Sequence, residues 1–331
     1  MRLSTPLADG VSLIDLRFQG HPGAVAAFLL ADGDDLALIE TGPGSTLHTL
    51  RAAIAEAGHD VAALTHVVVT HIHLDHAGGA GALLADAPRA RFFVHPLGAP
   101  HMVDPSKLIA SAARIYGADM ERLWGAFAPV PAERVVTLDD GARIPFGRGD
   151  GLVALHTPGH AVHHVAVHDP ARGDVYTGDV AGVRLARAPY VSPPTPPPDI
   201  DLDAWRTSIA RLRALDARRL LLTHFGAVDD VAWHLDELLA RLFDWAGWLE
   251  ARLDVPDPDL GAISAAVAAR NAREVARGIR RHGAERMDRA HLDDAALDGG
   301  PELDALVRGY ELANPSHMAV GGIARWLKKR G

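Results

Sequence analysis

Residues 67–76 read VVVTHIHLDH. Three valines and a threonine make the β-branched run of a buried strand, and the next six positions hold three histidines and an aspartate. His71 and His73 stand two apart, so in extended backbone both imidazoles point to one side, where a single cation can take both. Asp75 and His76 follow where the chain turns into a helix and can face a second cation. A plainer reading is a polar loop whose histidines hydrogen-bond locally. Against it stand three further strand-end donors: LHTPGH ends in His160, VYTGD in Asp179 and RLLLTH in His224. Each follows an apolar run, as expected if neighbouring strands deliver their ends to one cleft.

The chain has no cysteine, which removes disulfides, thiolate nucleophiles and sulfur-ligated zinc together. Any metal must sit on His, Asp or Glu. Nineteen histidines are present, but scattered ones signify no more than solvated or core-satisfied imidazole. With 331 residues, 48% of them apolar, the chain can build one large domain or one domain with a smaller appendage. A formal charge of −9 weighs against a nucleic-acid partner, which would call for a basic face. No apolar run reaches the ~18 residues of a membrane span, and MRLSTPLADG lacks the pattern of a secretory signal, so a cytoplasmic location without a membrane partner is expected.

Working outward from the motif, apolar runs at 11–18, 25–30 and 36–40 separated by Gly and Asp predict a β-meander. A helix is expected from about Thr46 to Ala57, closed by Gly58. A small-residue helix at 79–85 and a strand at 91–95 come after the histidines. Residues 97–133 form a helical insertion bearing Tyr116, Trp124 and Phe127. Strands resume at 134–138, 152–156, 163–168, 173–177 and 219–224, with a helix at 203–214 and a Pro-rich extended loop, SPPTPPPDID, at 192–201. After Gly226 the strands stop, and Val231, Leu235, Leu238, Leu242, Trp245, Leu249 and Leu253 recur at helical spacing. The expectation is an α/β domain over 1–228, sheets covered by helices, and a helical region over 229–331.

In order, the ETG turn, THIHLDHAGG, TPGH, TGD and THFG run through residues 10–226, and with them the sequence resembles the metallo-β-lactamase-fold hydrolases, in particular glyoxalase II-like and lactonase-like members. The resemblance implies an αβ/βα sandwich, here with a C-terminal helical extension. It implies one metal on His71, His73 and His160, a second on Asp75, His76 and His224, and Asp179 bridging them. A dinuclear hydrolase is implied, whose metal-bridging hydroxide cleaves a carboxylic ester, thioester or lactone of a small molecule, with Asp75 doubling as the catalytic proton carrier. Two divalent ions are expected, zinc first, although iron and manganese accept the same donors.

The sequence departs from the family in places. Glu40 stands where the family usually has Asp, and reads either as a group orienting the cluster or as a strand-end carboxylate at a helix N-terminus. Without cysteine, the zinc site of the commonest true β-lactamases cannot be built. After Asp179 the chain reads VAGVRLAR, lacking both the glutathione-contacting stretch of glyoxalase II and the Tyr that lactonases place three residues on.

Substrate contacts are less determined. Of His163 and His164 only one can face a cleft if the pair is in a strand, and His164 is the candidate. Arg184 or Arg187 can hold a substrate carboxylate, against the plainer reading of solvated loop charges. Tyr116, Trp124, Phe127 and Tyr190 either roof the cleft or pack helices. His66, His95 and His156 read as structural. The C-terminal helices, with Trp233, Trp245 and Trp248, either complete the roof or form a homodimer surface. Two other functions fit the same scaffold: a mononuclear iron oxidoreductase, which the complete second-site set disfavours, and a phosphodiesterase.

Overall fold

The computed structural model describes residues 2–8, 10–285 and 301–330. Strands β1 (Ser4–Ala8), β2 (Val11–Asp15), β3 (Ala26–Asp32) and β4 (Asp35–Ile39) form an antiparallel meander. β5 (His66–Val68), β6 (Arg91–Val94) and β7 (Val135–Thr137) extend it in parallel, giving a seven-stranded sheet in sequence order. Between these strands run α1 (Leu47–Glu56), the short α2 (Leu74–Ala77) and α3 (Ala80–Asp86). The insertion before β7 carries α4 (Ala99–Val103), α5 (Ser106–Tyr116) and α6 (Met120–Trp124).

The second sheet has six strands: β8 (Arg143–Ile144), β9 (Leu152–His156), β10 (Val165–Asp169), β11 (Asp174–Gly178), β12 (Arg219–Leu222) and β13 (Gly226–Val228). Its one parallel pair is β11 with β12, joined through α7 (Leu202–Ala214). Asp201 caps α7 by accepting from the amides of Asp203 and Ala204. Helices α8 (Val231–Leu253), α9 (Leu260–Glu285), α10 (Pro301–Ala313) and α11 (Ser316–Arg330) follow. Among the described residues no helix is long and apolar enough to cross a membrane.

Alternation along the strands sets the layers. In β3, Phe28 and Leu30 face the second sheet, where they share a core with Val165, Val167, Tyr176 and Leu221. Ala27 and Leu29 face the other way and pack with α1 and α3. In β12, Leu221 points inward while Leu220 and Leu222 join α7, α8 and α11 in an outer cluster. The result is helix, sheet, sheet, helix: the expected αβ/βα sandwich. The C-terminal helices belong to its outer layer, since Leu235, Leu242, Trp245 and Trp326 share one cluster with Ile209 and Leu220.

Three strands were not anticipated: β1, β8 and β13. All are edges, where pairing is supplied from one side and local pattern is weakest. β1 carries Pro6, tolerated there because an edge strand can dispense with its amide.

Candidate active site

β4 and β5 are parallel, as are β11 and β12. β9 is antiparallel to β10, which is antiparallel to β11, so the C-terminal ends of β9, β11 and β12 leave the second sheet on one side. From those exits come His71, His73, Asp75 and His76 after β5, His160 after β9, Asp179 after β11 and His224 after β12. The structure brings all seven together. His73 Nδ1 lies 2.9 Å from His71 Nε2 and 2.9 Å from His160 Nε2. Asp179 Oδ1 lies 3.3 Å from His76 Nε2 and 3.4 Å from His224 Nε2, and its Oδ2 lies 3.3 Å from His160 Nε2. Asp75 Oδ2 completes the ring, 3.4 Å from His224 Nε2 and 3.8 Å from His76 Nε2.

Whether these groups fit a metal is decided by their other nitrogens. His160 Nδ1 donates to the Pro194 carbonyl at 2.8 Å and His224 Nδ1 to the Ala24 carbonyl at 2.7 Å. His76 Nδ1 donates to Glu40 Oε1 at 3.0 Å. Thr70 gives its hydroxyl proton to Glu40 Oε1 at 2.5 Å, which leaves Thr70 Oγ1 to accept from His71 Nδ1 at 3.0 Å. With each Nδ1 committed to its acceptor, four rings turn their Nε2 edges into one small space, the orientation that metal ligation requires. Nε2 of His76, Nε2 of His224 and Oδ1 of Asp179 are buried with no hydrogen-bond partner in the described structure, a costly condition that cations relieve. Donor atoms gather within 4.8 Å in three sets: His71, His73 and His160; His71, His76 and Asp179; and Asp75, His76 and His224. The residues fit metal ligation, in more than one overlapping grouping.

The electrostatics follow from burial and neighbours. Burial first, then the adjacent histidines, hold His71 and His73 well below the ordinary imidazole value. Burial pushes His76 and His224 the same way, but the carboxylates outweigh it and raise both. For Asp75 burial raises the pKa, and the neighbouring His76 and His224 overcome it, bringing it down to about 2.

Glu40 contacts the side chains around the cluster rather than a helix N-terminus. It is fully buried and its backbone sits in the left-handed region, φ +67°, a strained conformation for this residue type. Its carboxylate receives Thr70, His76 and, at 3.3 Å, Thr223. Thr70 and Thr223 were not singled out from the sequence. Each precedes a ligand candidate, and this repeated Thr-His pairing at strand exits was the available signal.

Other expectations need correction. His164 does not face the cleft. Its Nε2 accepts from the Asp179 amide at 3.2 Å and its Nδ1 donates to Thr157 Oγ1 at 2.9 Å, so it braces Asp179, and His163 lines the cleft instead. The pair precedes β10 in a turn, where strand parity does not apply. Arg184 is neither a substrate ligand nor solvated. It is buried, forked onto Asp230 at 2.6 and 3.0 Å, with its Nε donating to the Ala188 carbonyl. Tyr190 is no roof residue. It packs edge-on against Tyr310 and beneath Arg241, away from the cleft. The side chain of Arg187 falls outside the described residues. His66 stacks on Phe93, and His95 on His156, consistent with structural roles.

Over the cluster lies a cleft of about 730 Å³. His73, Asp75, His160 and Asp179 form its floor. Tyr116 and Trp124, edge to face at 5.0 Å, line it from the insertion, whereas Phe127 packs into the outer core of the first sheet. The α10–α11 turn, through Asn314, Pro315 and Met318, lines it as well, so these helices take part in the roof. Trp233, Trp245 and Trp248 belong to the outer core of the second sheet.

A two-sheet sandwich with this His/Asp cluster at its strand ends defines a class. The sequence profile of the metallo-β-lactamase superfamily matches residues 20–224, and the chain belongs to that superfamily. It is 27% identical over 177 residues to thioesterase pkgB of Emericella nidulans, covering 52% of this chain but 42% of that protein. It is 30% identical over 116 residues to a hydroxyacylglutathione hydrolase of Aeromonas hydrophila, covering 35% and 33%. The chain thus spans less than half of either relative's length. Among solved structures, metallo-β-lactamase family protein TTHA1429 from Thermus thermophilus superposes with a TM-score of 0.67 at 22% identity, over 98% of this chain and 95% of that one. That fold likeness reaches into the C-terminal helices.

Proposed function

We propose that the chain is a dinuclear metal hydrolase, zinc being the expected ion, that cleaves a carboxylic ester, thioester or lactone of a small molecule. The observation that carries this reading is the convergence of four Nε2 atoms, His73 Nδ1 and two carboxylates at the foot of a cleft. The printed names of the thioesterase and the hydroxyacylglutathione hydrolase support acyl chemistry.

His71, His73 and His160 would hold one cation, Asp75, His76 and His224 the other, and Asp179 would reach both. Divalent cations so held would lower the pKa of water to about 7 and polarise an acyl oxygen. Asp75 and Asp179 offset only part of the cationic charge, so the floor favours developing oxyanions. Asp75 keeps 21% of its side chain exposed, against 6% for Asp179. It is the carboxylate placed to take up a proton and return it to the leaving alkoxide or thiolate. His164 fixes the Asp179 backbone, and Glu40 fixes two rings, so the site is preorganised.

Metal analysis of the purified protein, followed by a panel of thioester, lactone, aryl-ester and phosphodiester substrates, tests the proposal. The expected result is two metals per chain and acyl turnover abolished by chelation. Turnover confined to phosphodiesters would overturn it, and one iron per chain would favour the oxidoreductase.

A further inference from the structure

The cleft is far larger than acyl chemistry alone demands. At about 730 Å³ it falls within the roughly 300–1,000 Å³ of pockets that enclose drug-sized ligands. Metal-ligating types converge on its floor, and one side of its wall is an apolar stripe, interrupted elsewhere by His101, Ser111, His163, Asp199, Asn314 and His317. The helix α5 turns Leu108, Ala112, Ile115 and Tyr116 to it, residues spaced to occupy one helical face. Of the three acidic groups in the lining away from the floor, Glu311 is engaged by the Ser316 amide at 3.1 Å and Asp119 by Arg122 at 3.0 Å, and the third is Asp199. Lys107 is exposed beside Leu108, where its charge stays in water while its stem adds to the apolar wall.

A second observation concerns the mouth. Among the described residues five large apolar side chains are exposed over about two fifths or more of their surface: Leu97, Ile115, Val162, Val255 and Leu260. Leu97, Ile115 and Val162 all line this cleft. They come from three separate segments, the β6–α4 turn, the end of α5 and the β9–β10 turn, so their gathering is not a local accident of composition. Exposed apolar groups clustered at a cavity mouth mark a surface that is covered in use.

Resting on the acyl-hydrolase reading above, we propose that the acyl part of the substrate is an uncharged apolar chain or ring system of medium length. Its carbonyl sits over Asp75 and Asp179, its body lies along α5, and its far end emerges between Leu97, Ile115 and Val162. Acetyl-sized groups leave most of this wall bare, and a charged acyl group would lie against apolar side chains.

The test is a series of N-acetylcysteamine thioesters from acetyl to decanoyl, assayed with the metal-loaded full chain. The expected kcat/KM rises with length by up to about fourfold per methylene, the 0.8 kcal/mol that burying one CH₂ is worth, until the cleft is full. A flat or falling profile overturns the inference. Ile115→Asn with Val162→Asn, both at exposed positions, should lower the slope for long chains. A purely structural effect would lower the whole series equally and count against it. Calorimetric titration with carboxylates from acetate to decanoate separates the two readings. Affinity rising with length while no acyl substrate turns over would uphold the apolar cleft and sink the hydrolase. Turnover with length-independent binding would do the reverse.

Discussion

Thr70 Oγ1 lies 2.5 Å from Glu40 Oε1, and through that hydroxyl a carboxylate one strand away governs the orientation of His71. The same Oε1 receives His76 directly at 3.0 Å. One buried oxygen thereby orients two rings that the proposed reading gives to different cations. Support of this kind is worth as much to a metal site as a ligand is.

Glu40→Gln keeps the volume but removes the charge, and Thr70→Val removes the relay. Each should weaken metal binding about 10- to 100-fold, measured by competition with a chelator of known affinity. Wild-type affinity in both would mean that packing alone orients the rings.

Asp75→Asn should lower kcat by about 100-fold or more, the scale of general acid–base catalysis, while metal content falls much less. Turnover and metal stoichiometry measured on one preparation decide it. Unchanged kcat removes the proton role.

Gly178 precedes Asp179 with φ +49°, and an added Cβ would collide with Thr70 Oγ1 and His164 Nε2. Gly178→Ala should therefore cost about 1–3 kcal/mol and dislodge both braces, visible as a lowered Tm together with weaker metal retention. A stable, fully loaded variant would contradict the tight fit.

Arg184→Met should destabilise the fold by about 3 kcal/mol, because it strands Asp230 in a partly buried site, and it should leave KM essentially as it was. A raised KM at intact stability would return Arg184 to substrate binding.

Metal loading should depend on pH. Burial drives His76 toward the neutral form, but Asp179, Asp75 and Glu40 outweigh it and hold its pKa well above 6.5. The charged ring stabilises the metal-free fold fully below about 6.5, and that contribution is lost as pH rises through the raised value. Cations compete with this proton for Nε2, so binding at neutral pH releases protons and weakens as pH falls. Calorimetry in two buffers of different ionisation enthalpy reads the release directly, and none at pH 7 would mean that His76 is already neutral.

What the sequence made legible follows physical lines. Donors at strand exits could be read because an apolar run announces the strand and the polar residues after it have to lie at its end. His160, Asp179 and His224 were placed that way, and the structure seats them beside the HIHLDH segment. Direction beyond the exits was not legible. Arg184 and Tyr190 lie only a few residues past Asp179, yet the chain there turns toward α8 and α10, and both side chains go with it. Local sequence carries no record of partners such as Asp230 and Tyr310, contributed by elements much further along. The wall of the cleft was hidden for the same reason: Leu97, Ile115 and Val162 are unremarkable until the fold assembles them.

The α10–α11 turn has a consequence for biosynthesis. The last of the grouped histidines and carboxylates is His224, whereas Met318 still contributes to the cleft. Every grouped donor is thus synthesised before the segment that completes the cleft wall. Loss of α11 would strip Val320, Ile323 and Trp326 from the outer core of the second sheet as well as Met318 from the cleft wall, so one late segment serves both the packing and the chamber.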